Sequence, residues 1–69
     1  MISIHTQRFY ERFTGTPHDI TVTFDYPGRK VYEVRLDGEF YSNHESKREA
    51  FDEIVDILRA GNLSAVRPF

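Results

Sequence analysis

Two stretches of the chain alternate strictly between apolar and polar positions. Ile20, Val22 and Phe24 are separated by Thr21 and Thr23, and Tyr32, Val34 and Leu36 by Glu33 and Arg35. A period of two puts each apolar triad on one face of a strand. Pro27-Gly28 marks the turn between them. The length of that turn decides the register. A two-residue loop would set Phe24 opposite Val31 and turn the second triad to the wrong face. A three-residue loop, Pro27-Gly28-Arg29, pairs Phe24 with Tyr32, Val22 with Val34 and Ile20 with Leu36. Because a one-residue slip inverts every side chain, the odd loop is expected. The outer face then pairs Thr23 with Glu33 and Thr21 with Arg35.

The period changes after His44. Ala50, Phe51, Ile54, Val55, Ile57 and Leu58 fall within one arc at about 100° per residue, the mark of a helix packed on a core. Ser46, with Glu49 three residues on, reads as a capping box, and Ser42 with Glu45 offers the same signature a turn earlier. Gly61-Asn62 ends the helix, with Gly61 expected in the left-handed conformation. Asp37-Gly38 is a second turn. The same face logic suggests a three-residue loop there, with Phe40 opposite Leu36 and Tyr41 pointing outward.

The ends are less patterned. Ile2 and Ile4 suggest a short strand. Phe9, Glu11 and Phe13 share a face if Arg8 to Phe13 is a strand hairpinned onto the Ile20 strand, across a Thr14-Gly15-Thr16-Pro17 loop. The tail from Leu63 to Arg67 can add an edge strand before Pro68. The expected fold is a single α+β domain over residues 1–69. It has a small antiparallel sheet of three to four strands (about 8–13, 19–25, 30–37 and 39–42). One helix of the C-terminal half, about 46–60, packs on one face.

Composition narrows the chemistry. The chain has 69 residues, 39% apolar, with ten aromatics and no Cys or Trp. Such a length is near the lower limit for a domain that folds without a disulfide or metal. The lack of Cys excludes a disulfide framework, a thiolate nucleophile and a Cys-based zinc site. No apolar run approaches the ~20 residues of a membrane span. The N-terminus lacks the basic and long apolar segments of a signal peptide, so a cytoplasmic protein without membrane association is expected. His5, His18 and His44 sit in no ligand spacing, so no metal is expected. No Gly-rich phosphate loop or nucleophile elbow is present. No cofactor and no catalytic residue are expected, and the reading is non-enzymatic.

Charge is unevenly spread. The net charge is -2, and the acidic excess lies between Glu33 and Asp56. On the helix wheel, Glu45, Glu49, Asp52, Glu53 and Asp56 span about 200° to 300° from Ala50, with Arg48 and Arg59 at the edge of that stripe. Such a flank can be a solvated helix face, or a patch that docks a basic surface and speeds encounter. The aromatic excess leaves Tyr10, Tyr26, Tyr41 and Phe69 hard to bury beside Phe9, Phe13, Phe24, Phe40 and Phe51. Exposed aromatics are enriched at interface hot spots, which makes Tyr26 and Tyr41 candidate anchors.

Ser46-Lys47-Arg48-Glu49-Ala50 resembles the start of the last helix of double-stranded-RNA-binding domains, which also follows a three-stranded sheet. The resemblance implies phosphate contacts from Lys47 and Arg48. Phe51-Asp52-Glu53 departs from the small residues that follow in that family. The strand-strand-strand-helix order also looks like the arm-type DNA-binding domains of phage integrases. That likeness implies groove reading by the outer face, here Thr21, Thr23, Glu33, Arg35 and Tyr41. A nucleic-acid-binding domain using Arg35, Lys47 and Arg48 is therefore the alternative, against an overall charge that is not basic. In size, acidity and lack of catalytic machinery, the chain is similar to the small inhibitors that phages and mobile elements direct against host enzymes, anti-CRISPR and other anti-defence proteins among them. The leading expectation is a protein-binding module whose acidic helix face blocks a larger host protein with a basic, nucleic-acid-handling surface. A structural homodimer formed by edge strands is the third reading.

Overall fold

The computed structural model describes residues 2–67. Its element order is β1 (Ile2–Glu11), β2 (Pro17–Phe24), β3 (Tyr32–Leu36), β4 (Glu39–His44), α1 (Lys47–Ala60) and β5 (Leu63–Ser64). The five strands form one antiparallel sheet in the order β4-β3-β2-β1-β5. The first four make a meander. α1 then carries the chain across one face, so that β5 pairs beside β1 at the opposite edge. This is the expected α+β class, with one strand more than expected.

The central pair has the expected register: Ile20 opposes Leu36, Val22 opposes Val34 and Phe24 opposes Tyr32, while Thr21–Arg35 and Thr23–Glu33 share the other face. The ladder ends at Phe24 and Tyr32, and Lys30 beyond it is left-handed, at φ 59°. Residues 25–31 form the loop, closed by Asp25 N–H to Val31 O (2.9 Å) and Lys30 N–H to Asp25 O (2.7 Å).

α1 starts where the capping box places it. Ser46 is the N-cap, and its hydroxyl accepts the Glu49 N–H at 3.2 Å. Its other end differs from expectation. Gly61 is right-handed (φ -88°), and Asn62 takes the left-handed position (φ 51°). Residue 61 is closely approached: a Cβ there would lie 3.2 Å from Leu63 Cγ and 3.3 Å from the Ile57 carbonyl, so a larger residue would need these neighbours to give by a few tenths of an ångström.

Ala50, Ile54 and Ile57 of α1 meet Ile20, Val22 and Val34 of the sheet, and Phe9 and Leu63 close the core. Ile20, Val22 and Val34 are fully buried. Phe24, Phe51, Tyr32, Leu36 and Leu58 are partly buried around this centre.

Three further expectations fail, two at turns and one at a bulge. First, β1 runs from Ile2 to Glu11, with a register shift between Ser3 and His5. Gly15 N–H bonds the Glu11 carbonyl (2.9 Å), so the chain reverses before Phe13, which is 82% exposed. Second, Asp37-Gly38 forms a two-residue loop with both residues at positive φ (53° and 83°), the geometry favoured in tight hairpins. Leu36 therefore opposes Glu39, and Phe40 opposes Arg35 on the outer face, 56% exposed rather than in the core. Third, a bulge between the Arg35 and Val34 pairings inserts Tyr41 as the extra residue. Tyr41 lines a groove with Leu36 and Ile57, on the helix side and not outward. The tail strand is confined to Leu63–Ser64, and Phe69 lies outside the described residues.

Truncating the centre should cost far more than truncating the misplaced aromatic. Ile20→Ala is expected to destabilise by about 2–5 kcal/mol, the range for deleting a buried branched side chain. Phe13→Ala is expected to stay within about 0.5 kcal/mol. Urea unfolding followed by circular dichroism measures both.

Candidate functional site

α1 divides around its axis. Its buried stripe faces the sheet. Phe51 sits on the β1 side, its ring 5.5 Å from the His5 ring. Ile57 and Ala60 border the β3–β4 side, where they line a groove with Leu36 and Tyr41. The acidic flank lies on this second side. Glu49, Asp52 and Asp56 are exposed and Glu53 is half-buried. Glu45 is also exposed, but it precedes the Ser46 cap and so stands outside the helical register that placed it on the flank.

These five carboxylates differ from those of the sheet. Glu11, Asp19, Asp25, Glu33 and Asp37 each hold a cationic group or imidazole within 4 Å. Among the described residues, none of Glu45, Glu49, Asp52, Glu53 and Asp56 forms a salt bridge. Arg48 and Asp52 stand at i,i+4, a spacing that permits an ion pair, yet they do not make one.

The groove has a volume of about 350 Å³ and is lined by Leu36, Tyr41, Ile57, Ala60 and Leu63, with Glu11 and His18 at its polar end. His18 clasps that end. Its Nδ1 lies 2.7 Å from Asp37 Oδ2, and its Nε2 lies 2.8 Å from Glu11 Oε1. The carboxylates are themselves held: the Thr14 hydroxyl donates to Glu11 Oε2 (2.7 Å) and the Asp19 N–H to Asp37 Oδ1 (2.9 Å). Three separate pieces of chain, the end of β1, the start of β2 and the β3–β4 turn, are thus joined through one imidazole. The two carboxylates occupy opposite ring nitrogens and do not converge on a point. Among the described residues no cluster is arranged to hold a metal ion.

The clasp was missed in the sequence, where His18 reads as a loop residue. Strand parity carried a signal for it. His18 shares the face of Ile20 and Val22, and Glu11 shares that of Phe9.

The remaining candidates are scattered. Tyr26 lies in the β2–β3 loop, stacked on Phe24 at 6.0 Å, at the end of the sheet where α1 begins. The Tyr41 groove is at the end where α1 stops, so the two anchors do not share a surface. Arg35 is on the outer face, with its guanidinium donating to Glu33 Oε2 at 3.0 Å. Lys47 lies over the Phe51 ring at 5.8 Å, and Arg48 is exposed, both on α1 at the other side of the sheet. The structure does not assemble Arg35, Lys47 and Arg48 into one surface. The outer face does gather Thr21, Thr23, Glu33 and Arg35, with Phe40 in the place expected for Tyr41. At its centre Glu33 is buried between Arg29 (3.4 Å) and Arg35.

No protein-family model, curated protein or solved structure gives a significant match to this chain. No helix among the described residues is long and apolar enough to cross a membrane.

The clasp makes stability depend on pH. Hydrogen bonds to Asp37 and Glu11 raise the His18 pKa above its ordinary 6.5. The Thr14 and His18 hydrogen bonds lower Glu11 from 4.5, and the His18 bond lowers Asp37 from 3.8. A raised imidazole stabilises fully below 6.5, and that part is lost as pH rises through the folded value. Lowered carboxylates stabilise above their ordinary values, and that part is lost on acidification. Stability from the clasp should therefore peak between pH 4.5 and 6.5. His18→Gln should remove the decline on the alkaline side, read as the urea midpoint against pH.

Proposed function

We propose that the chain is a small, non-enzymatic, cytoplasmic protein-binding module that docks a basic surface of a larger protein through the acidic flank of α1. The observation that carries this reading is the segregation of carboxylates. Those on the strands and their connecting loops are paired, apart from Glu39, whereas Glu49, Asp52, Glu53 and Asp56 lie together on one side of α1 with no salt bridge among the described residues. A folded chain with nine basic residues that leaves this flank uncompensated keeps a negative field outside itself. The Tyr41 groove adjoins the flank and supplies an apolar anchor point, half exposed at Tyr41. Charge speeds encounter and fixes orientation, and the aromatic contact lengthens the complex's life. A basic nucleic-acid groove on a host enzyme suits such a flank. Filling it would exclude nucleic acid sterically, which is how an anti-defence inhibitor of phage or mobile-element type acts.

The test is capture of a basic protein from host lysate, then calorimetry with that partner. Asp52→Lys with Asp56→Lys should weaken binding roughly tenfold or more and reduce its salt dependence, as expected when interfacial charge pairs become repulsive. Tyr41→Ala should raise the dissociation rate with little change in salt slope. Equal affinity of the double reversal and the parent chain would overturn the reading.

A further inference from the structure

The groove beside Tyr41 has walls and an end of opposite character. Leu36, Tyr41 and Ile57 give it apolar walls, and its volume is about 350 Å³. Glu11 and His18 stand at its polar end. Negative charge reaches that end from separate parts of the chain. Glu11 comes from β1, and Asp37 reaches His18 from the β3–β4 turn. An imidazolium between two carboxylates leaves the cluster with a net negative charge. Asp19, the next carboxylate, is already paired with Arg8 at 2.8 Å. α1 ends at the same groove, with Ala60 and Gly61 in its lining, so the negative end of the helix dipole lies there too. Asp56 stands one turn before Ala60, at i,i+4, and so joins the groove to the acidic flank. Among the described residues no Lys or Arg lines it. Arg12 and Arg59 face a different groove, with Val55 and Leu58.

We propose that this groove receives a lysine side chain of the basic partner, with its methylene stem against Leu36, Tyr41 and Ile57 and its ammonium at Glu11. Such a socket rests on the protein-binding reading above, and names what the partner puts into it. A lysine matches both parts of the groove, since it buries its stem along apolar surface and keeps its charge at a polar end. Arginine matches less well. A guanidinium fork wants two free oxygens on one carboxylate. Glu11 Oε1 already lies 2.8 Å from His18 Nε2, and Oε2 accepts the Thr14 hydroxyl at 2.7 Å. The lone pairs that remain suit an ammonium, whose three N–H donors need no fixed fork. An anionic ligand is disfavoured by Glu11 and the helix end, and an uncharged one would cover the Glu11 charge without pairing it. His18 gives the socket a pH dependence. Glu11 from β1 and Asp37 from the turn face its ring, and Tyr41 of β4 and Ile57 of α1 line the groove with it. Loss of its proton adds a negative charge at the groove's end. Lysine binding therefore strengthens as pH rises through the folded His18 value, while the clasp itself weakens.

The test is an NMR titration of the isotope-labelled chain with the peptide acetyl-Gly-Lys-Gly-amide. Amide shifts should centre on Leu36, Tyr41, Ile57 and Ala60. The norleucine analogue keeps the stem and loses the charge, and should bind about tenfold more weakly. The arginine analogue should also bind more weakly than lysine. Affinity should rise with pH above 6.5, and His18→Gln should flatten that rise. Ala60→Lys suits a helix C-terminus, so the circular dichroism spectrum should be unchanged while the groove, now holding its own cation, loses the peptide. Equal binding of the lysine and norleucine peptides, shifts confined to Glu49, Asp52 and Glu53, an affinity that does not rise with pH, or undiminished binding to Ala60→Lys would overturn the proposal. Asp52→Lys separates socket from flank. It lies on the flank away from Ala60, and should change the peptide's affinity by no more than about twofold. If the peptide fails to bind while Asp52→Lys with Asp56→Lys still costs the chain its basic partner, the socket is overturned and the flank stands.

Discussion

Everything in this fold depends on the pairing of β2 with β3 in the one register that lays Ile20, Val22 and Phe24 beside Leu36, Val34 and Tyr32. The side-chain period of a strand is two, so no intermediate arrangement exists. A slip of one residue would send Thr21, Thr23, Glu33 and Arg35 under α1. Ala50 completes the constraint. Its small side chain, fully buried, lets α1 lie close over the sheet while Ile54 and Ile57 reach past it. From the central pair the parity passes outward. β1 inherits it through its long pairing with β2, which turns Phe9, Glu11 and His18 to the helix side. β4 inherits it only after a bulge, and that bulge delivers Tyr41 to the groove.

The same parity explains the outer face. Glu33 is 5% exposed on a sheet face that no helix covers. A carboxylate loses hydration there only because Arg29 and Arg35 reach it from two sides. Arg8–Asp19 and the Thr6–Thr21 hydroxyl contact extend the pattern across β1 and β2. The outer face is thus internally balanced, and its arginines are already committed to carboxylates. α1 is the reverse. Among the described residues its carboxylates form no salt bridge, although the first-turn Glu49 is favoured by the helix dipole.

What could be read from the residues was what periodicity and caps express. The β2–β3 register, the buried stripe of α1 and the Ser46 cap follow from spacing alone, because each is a local rule with a single solution. The failures share a cause: positions where backbone conformation, and not side-chain pattern, chooses. Asp37 accepted a left-handed φ, so a two-residue turn replaced the three-residue one, and Phe40 and Tyr41 exchanged faces. Asn62 took the left-handed position expected of Gly61, since asparagine tolerates that region better than most residues, while Gly61 sits close against Leu63 and Ile57. Phe13 was lost from the core when Gly15 closed the hairpin early. The His18 clasp needed three elements placed at once, and only one of its members, the turn residue Asp37, lies where sequence spacing already marked a turn.

The two flanks of α1 differ in chemistry because the sequence assigns them to different arcs of one helix. About 100° per residue separates an apolar side at Phe51, Val55 and Leu58 from an acidic side at Glu49, Asp52, Glu53 and Asp56. Because α1 crosses the sheet, the apolar side falls toward β1 and the acidic side toward β4. Burial of an apolar side is an effect that salt hardly changes, whereas the field of an acidic side is screened beyond about 8 Å at physiological salt. The two sides of one helix thus answer to different solution conditions, because the chemistry of each is set by a different arc of the same 100° repeat.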